Sequence, residues 1–169
     1  MDTQPKPRLF QSVTIGAAAA FFLGLLPFFS GICLHLCIGG YVTTRHYCLT
    51  NDINLELSKA FGIAFLGTGL GALLNLIYSM VSIWLMFGES AENVKEGLID
   101  EIGKAFEGSA FFKEGIAQLQ TYEPSVFVAT LLVGGLFGAI LSSAIGAALG
   151  GALGATHARR AKERRDHER

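Results

Sequence analysis

The sequence predicts an all-α integral membrane protein with four hydrophobic helical segments and an extracytoplasmic amphipathic helical segment. Hydrophobic residues make up 51% of its 169 residues and charged residues only 16%, against about a quarter in soluble domains. The mean hydropathy is +0.45. The charges are also kept apart from the apolar runs, a segregation typical of membrane segments joined by aqueous loops. In the last apolar run, small residues recur at every fourth position.

The first apolar run follows a polar N-terminal lead at residues 1–10 and is too long for one membrane crossing. As one helix it would measure about 50 Å, against a hydrocarbon core of about 30 Å. Pro27 interrupts the run, and proline breaks or kinks a helix. We therefore predict a proline-broken hairpin, with helices over 11–26 and 32–44 and a turn over 27–31. The two arms either both span the membrane or form a re-entrant pair, and a single kinked helix is the alternative.

A polar connector over 43–59 leads to the second strong span, Ala60–Phe87. Gly67 and Gly71 lie four residues apart on this span and give it a small-residue face. Asn75 is its one strongly polar side chain near mid-span.

Residues 89–123 form an acidic insertion. They carry eight Asp and Glu side chains and three Lys side chains, a net charge of −5. Large apolar residues recur at every fourth position from Val94 to Phe106, which predicts an amphipathic helix over Ala91–Phe106. A Gly-Ser pair interrupts the pattern, and a second short amphipathic helix is expected beyond it.

The last span, 126–155, carries a glycine zipper. Residues four apart lie on one helix face, and small side chains there let helices approach closely in lipid. The predicted packing face consists of Gly134, Gly138, Ser142, Gly146, Gly150 and Gly154. We expect it to pack on the Gly67–Gly71 span, on another copy of the chain, or on both. A homo-oligomer or a complex with another membrane protein is therefore predicted.

The charges also predict a topology. Lys and Arg concentrate on the cytoplasmic side of membrane proteins. A single transmembrane domain at 11–155 with four segments places both termini, including the basic tail at 156–169, in the cytoplasm, and it places the acidic 89–123 insertion outside. Three spans would force either the tail or the basic N-terminus across the membrane. We therefore predict four segments in the cell (inner) membrane.

The chain combines a proline-broken first pair, carrying Cys33, Cys37 and Gly39-Gly40, with a Gly67-Thr-Gly-Leu-Gly71 span, a glycine-rich last helix and a basic end. In this combination it resembles a group of small, glycine-rich, multi-pass bacterial membrane proteins that remain uncharacterised. The resemblance implies a cell-membrane location and no particular activity.

The sequence contains no recognisable catalytic or metal-binding set, and we predict neither enzymatic activity nor a cofactor. Cys33 and Cys37 share a helix face, but His35 points roughly 200° away from Cys33, so one helix cannot bring all three to one metal. His35 and Asn75 form a candidate intramembrane polar site, since an ionisable group within the membrane is by default a functional indication. The structural alternative is a neutral imidazole bonded to another helix, for instance through Asn75. The apolar runs contain no carboxylate, which argues against an ion-coupled transporter.

Two functions fit these features. The first is a structural or accessory membrane protein that engages another protein through its acidic insertion or its zipper. The second is an oligomeric pore or channel built on the 134–154 helix, which requires a wet polar lining, and the sequence supplies few polar side chains for one. The lipid bilayer is a partner in either case. Nucleic acid is not expected, because acidic residues dilute the basic tail.

Overall fold

The structure, a computed structural model, describes residues 8–26, 33–88, 90–106 and 110–168, with the side chains of 110–112 excepted. Within these residues the chain forms six α-helices and no β-strand. The helices are α1 (Leu9–Gly24), α2 (Leu34–Thr50), α3 (Leu57–Phe87), α4 (Ala91–Ala105), α5 (Ala110–Thr121) and α6 (Pro124–His167). The all-α prediction is confirmed for the described residues, whereas the turn predicted over 27–31 lies outside them.

Contacts between residues divide the chain into two compact units. Residues 1–75 and 138–169 form the first, called here the four-helix unit because α1, α2 and parts of α3 and α6 build it. Residues 76–137 form the insertion unit, which contains α4, α5, the end of α3 and the start of α6. Both α3 and α6 are continuous helices that contribute to each unit.

α1 and α2 pack against each other in antiparallel directions. Ser12, near the start of α1, meets His46 near the end of α2, with 2.8 Å between Oγ and Nδ1. Further along α1, first Gly16 and then Ala20 lie against Gly39 of α2. The two helices are therefore the arms of a hairpin, and a single kinked helix is inconsistent with this packing.

The second arm of the hairpin is longer than predicted. α2 continues to Thr50 instead of ending near residue 44, so the connector to α3 is residues 51–56 and not 43–59. Thr43 and Thr44, which begin the predicted polar connector, are satisfied inside the protein. Thr43 donates to the Gly39 carbonyl at 2.8 Å, and Thr44 donates to the Ala60 carbonyl of α3 at 3.4 Å. Back-bonding of this kind lets threonine remain within a helix.

α2 ends in a Schellman-type turn. Asp52 has a left-handed backbone conformation with φ of 49°, which residues other than glycine adopt infrequently. The Ile53 N–H donates to the Cys48 carbonyl at 3.1 Å, and the Asn51 side chain donates to the Tyr47 carbonyl at 2.8 Å. These bonds satisfy carbonyls that the end of a helix would otherwise leave free.

Two helices are long and apolar enough to cross a membrane, α3 with 31 residues and α6 with 44. Only 6% of the most apolar window of α6 is buried within the protein, compared with 33% for α3. Pro124 is the first residue of α6, a position at which proline is tolerated. The helix runs on to His167, so most of the predicted tail at 156–169 is helical.

The insertion unit contains amphipathic helices where the sequence predicts them. α4 matches the predicted 91–106 helix to within one residue, and Ser90 caps it by accepting a hydrogen bond from the Asn93 N–H at 3.0 Å. Lys95 donates to the carbonyls of Gln120 and Tyr122 near the end of α5, at 2.7 and 2.6 Å. A cation at this position satisfies free carbonyls and complements the helix dipole.

The apolar face of α4 differs in detail from the predicted row. Its buried side chains are Val94 and Ile99. A row of every fourth residue drifts about 40° around a helix at each step, and the last member of the row, Phe106, is 45% exposed.

On the outer surface, Asp100 accepts a hydrogen bond from Lys104 at 2.6 Å, and this bond is the main cause of the raised pKa of Lys104.

Candidate helix-packing site

The second half of the predicted zipper packs against α2. A Cβ atom added to Gly146 would lie 2.7 Å from Leu36 Cβ, and one added to Gly154 would lie 2.7 Å from the Tyr41 carbonyl oxygen. One added to Gly150 would overlap the backbone of α2. These positions therefore accept only glycine without a shift of the helices, and they let the two backbones come into contact.

A neighbouring column of small residues on α6 packs against α3. A Cβ atom on Gly151 would lie 3.0 Å from Ala64 Cβ and 3.1 Å from the Ala60 carbonyl oxygen. Ala147, one turn earlier on α6, is fully buried. Columns one residue apart are separated by about 100° on a helix. α6 thus presents one small-residue column to α2 and a second one to α3.

The predicted zipper face does not pack on the Gly67–Gly71 span, because its contacts are with α2, and the neighbouring column meets α3 away from those two glycines. The hairpin covers their face of α3, where Gly67 lies against Thr43 of α2 and Gly71 lies against Ala17 and Ala20 of α1. The spacing of small residues reveals that a face can be approached closely. It does not reveal which neighbour approaches it, because every such column offers the same close contact.

The first part of the zipper has no such neighbour. Apart from its two chain neighbours and the backbone of its own helix, none of the described residues lies within 4 Å of a Cβ atom placed on Gly134 or Gly138. Ser142 is half-buried, and its Oγ donates to the Gly138 carbonyl of its own helix at 2.7 Å. Gly134 and Gly138 therefore form a small-residue face that the described part of the chain leaves uncovered.

Two hydroxyl side chains join α3 to α6. Thr68 Oγ1 donates to the Ser143 carbonyl at 3.1 Å, and Ser143 Oγ donates to the Thr68 carbonyl at 3.4 Å and to the Ala139 carbonyl at 2.6 Å. Thr68 is 0% exposed and Ser143 is 1% exposed. Hydrogen bonds between membrane helices contribute about 0.6 kcal/mol on average, so this pair adds modestly to a contact made mainly by close packing.

The two residues of the candidate polar site both lie in the four-helix unit. The Asn75 amide donates to the Ala20 carbonyl of α1 at 3.4 Å and lies against Gly24. His35 is buried on α2, with 8% exposure. Of the buried side-chain nitrogen and oxygen atoms that the structure describes, none lacks a hydrogen-bond partner. Pairing of His35 with Asn75 remains a prediction.

The three cysteines are free thiols, and Cys48 is the buried one. Cys33 precedes the first turn of α2 and has a left-handed backbone conformation, so it does not share a helix face with Cys37 as the sequence pattern suggested. In the described ranges, no three His, Cys, Asp or Glu side chains are grouped so as to hold a metal ion.

Polar contacts absent from the sequence analysis gather where α1 begins and α2 ends. In addition to the Ser12–His46 contact, Tyr41 Oη lies 3.2 Å from His157 Nδ1 of α6. Lys162 of α6 pairs with the Asp52 carboxylate at 3.2 Å. The two pairs to α6 join residues 116 and 110 positions apart. Local spacing contains no signal for contacts at such separations.

No family model, curated protein or solved structure matches the chain. The resemblance to small glycine-rich bacterial membrane proteins therefore remains a prediction. The function has to be inferred from the geometry of the helices described above.

The two parts of the zipper should respond differently to the same substitution. We expect Gly150→Leu to lower the thermal unfolding midpoint of the detergent-solubilised protein, because the new side chain would meet the backbone of α2. Overpacking of this kind typically costs about 1–3 kcal/mol. Gly138→Leu is the matched control, with open space at the same distance, and it should leave the midpoint unchanged. Equal effects of the two substitutions would contradict the described packing.

The cross-helix hydroxyl pair can be tested with isosteric changes. Thr68→Val removes a donor that reaches α6, and we expect a loss of stability of about 0.6 kcal/mol for each bond lost. Thr130→Val removes a hydroxyl that bonds only to the Val126 carbonyl of its own helix, so it should have no such effect. Reversible unfolding in mixed micelles would measure both. A Thr68→Val protein as stable as the parent would mean that the bond from Thr68 Oγ1 to the Ser143 carbonyl contributes nothing.

Proposed function

We propose that the chain is a multi-pass membrane protein with a structural or accessory role. Its four-helix unit would lie in the bilayer, both termini in the cytoplasm and the 89–123 insertion outside. The observation that carries the proposal is the distribution of side chains by size. The interior of the four-helix unit consists mainly of small residues and bonded hydroxyls, with Leu36 the largest fully buried side chain among the described residues, whereas large apolar side chains face outwards on α3 and α6.

The interior of the four-helix unit contains side chains too small to drive burial in water. Ala20, Ala60, Ala64 and Ala147 are all 0% exposed. Large apolar side chains instead point outwards on α3 and α6: Leu66, Ile77, Leu85, Leu136, Phe137, Ile140, Leu149 and Leu153 are each about half exposed or more. An apolar surface this extensive is not stable in water. In lipid, close packing of small residues is what drives helix association.

The lengths of the helices support four membrane segments. α3 and α6 are long enough to cross the hydrocarbon core alone. The hairpin accompanies α3 from the Thr44–Ala60 bond to the Ala20–Asn75 bond, which is about 22 Å along α3. A hairpin that follows a spanning helix this far lies within the bilayer for most of its thickness. Its arms are short for full spans, and the bilayer would thin locally around them.

The charges support the proposed sidedness. The contacts of Arg8 with Asn51 and of Lys162 with Asp52 hold the start of α1, the end of α2 and the C-terminal part of α6 together. This end carries Arg8 and the basic tail. The insertion at 89–123 carries a net charge of −5. The positive-inside rule then assigns the basic end to the cytoplasm.

A structural role is supported over a pore because several of the polar side chains that could line one already donate hydrogen bonds within the protein. Four of them, Thr68, Asn75, Ser142 and Ser143, donate to helix carbonyls. Side chains that donate to helix carbonyls in this way stabilise the helices. They have little remaining hydrogen-bonding capacity to replace the hydration shell of an ion. The uncovered face at Gly134 and Gly138 supports association with a second copy or another membrane protein, and the insertion provides a water-exposed element for a partner.

The proposed topology predicts opposite accessibility for the insertion and the tail. In a cysteine-free background, a cysteine introduced as Glu114→Cys should react with a membrane-impermeant maleimide in intact cells. Arg164→Cys should react only after permeabilisation. Both replaced side chains are exposed, so access is decided by the membrane and not by the fold. Reaction of both from the same side would overturn the four-segment topology.

The structural role predicts no solute or ion flux through liposomes that contain the folded protein. Flux measured with a dye-release or ion-selective assay would support the alternative of an oligomeric pore. Gly138→Leu is the informative variant in that case, since it alters the uncovered face without disturbing the contacts of α6 with α2. Flux abolished by Gly138→Leu would establish a pore built on the zipper and would overturn the structural role.

A further inference from the structure

A cationic site lies on the surface where α2 meets α6. The Arg45 guanidinium carbon is 5.8 Å from the centroid of the Tyr41 ring, which is a cation–π distance. The His157 ring packs edge-on to the same ring, with the centroids 5.6 Å apart. Arg160 follows His157 by three residues and therefore lies on the same side of α6. We call these four residues the Tyr41 site.

Backbone packing positions the Tyr41 site. Gly154 brings α6 so close to α2 that an added Cβ atom would be 2.7 Å from the Tyr41 carbonyl oxygen. His157 then reaches Tyr41 Oη from the next turn of α6. Arg45 is four residues after Tyr41 and shares its face of α2. The same glycine that joins the helices thus brings the charged groups of both to one place.

The positive charge at this site is uncompensated. Among the described residues, no carboxylate lies within ion-pair distance of Arg45 or Arg160. Glu163, which shares a shallow surface groove with Arg160, is paired with Arg159 at 3.1 Å. Two more acidic side chains of this end are paired, Asp52 with Lys162 and Glu56 with Lys59, and Asp166 and Glu168 follow Arg160 by six and eight residues along the tail.

The surroundings of the Tyr41 site change from apolar to basic within one helical turn. Leu149 and Leu153 of α6 are 57% and 56% exposed. His157 and Arg160, the next residues along that side of the helix, are also exposed. In a bilayer this change marks the level at which hydrocarbon gives way to lipid headgroups, where phosphates are the available anions.

We propose that the Tyr41 site binds the headgroup phosphate of an anionic phospholipid, an inference that rests on the proposed membrane location. Arg45 would donate two parallel N–H bonds to the phosphate oxygens, the geometry that guanidinium groups favour. Arg160 would add positive charge. The acyl chains would lie along Leu149 and Leu153. A free phosphate offers the same chemistry without the acyl chains, so the test has to separate the two.

Native mass spectrometry of the detergent-solubilised full chain can measure this binding. The probes are phosphatidylglycerol and phosphatidylcholine with identical acyl chains. We expect phosphatidylglycerol to bind more tightly, and Arg45→Gln to weaken its binding about fivefold, the factor equivalent to about 1 kcal/mol for one cation near a lipid surface. Arg165→Gln removes an equal charge two turns beyond His157 and should change the affinity by less than twofold. Binding of phosphatidylcholine should not change.

Three results would overturn the lipid site. The first is equal binding of the two lipids, and the second is an equal loss with Arg45→Gln and Arg165→Gln. The third is displacement of phosphatidylglycerol by millimolar glycerol phosphate, which would identify a site for free phosphate esters. Flotation of each variant with phosphatidylcholine vesicles tests membrane insertion separately. A protein that floats but fails the lipid test refutes this site alone, whereas one that does not float refutes the proposed function as well.

Discussion

Direct contact between helix backbones is the interaction on which the four-helix unit depends. Gly146, Gly150 and Gly154 bring α6 onto α2, and Gly71 brings α3 onto α1. At these positions a methyl group would have to displace a neighbouring helix. Close approach maximises the van der Waals contact between backbones and costs little side-chain entropy, because glycine and alanine have none to lose.

This packing determines what the other residues do. With backbones in contact, little space remains between the helices for large side chains. Most of those on α3 and α6 face outwards, whereas Leu36 of α2 is buried with 1% exposure. The buried hydroxyls of Thr43, Thr68 and Ser143 lie near helix carbonyls and bond to them. The molecule is thereby suited to a surrounding medium as apolar as its surface, and its polar interior groups need no water.

The same packing limits the functions that the unit can perform. Helices that touch along their length, with their hydroxyls bonded to carbonyls, form a rigid anchor more readily than a hydrated path. Three surfaces lie outside these helix–helix contacts. They are the uncovered glycines of α6, the acidic α4–α5 pair and the basic surface at Tyr41. Under the proposed function, each of these would contact another molecule, either a protein or a lipid.

The sequence determines the helices, because hydrophobic runs, proline positions and every-fourth-residue patterns act locally. The spans of α3 and α6, the amphipathic α4 and the small-residue faces could all be read from it. The partners of those faces could not, since any glycine column fits any other. Tertiary contacts placed Gly150 against α2 and brought Tyr41 to His157. The hydrogen bonds of Thr43 and Thr44 to backbone carbonyls accompany the extension of α2 to Thr50. These outcomes depend on which backbones meet in space, a property of the whole fold that no local pattern contains.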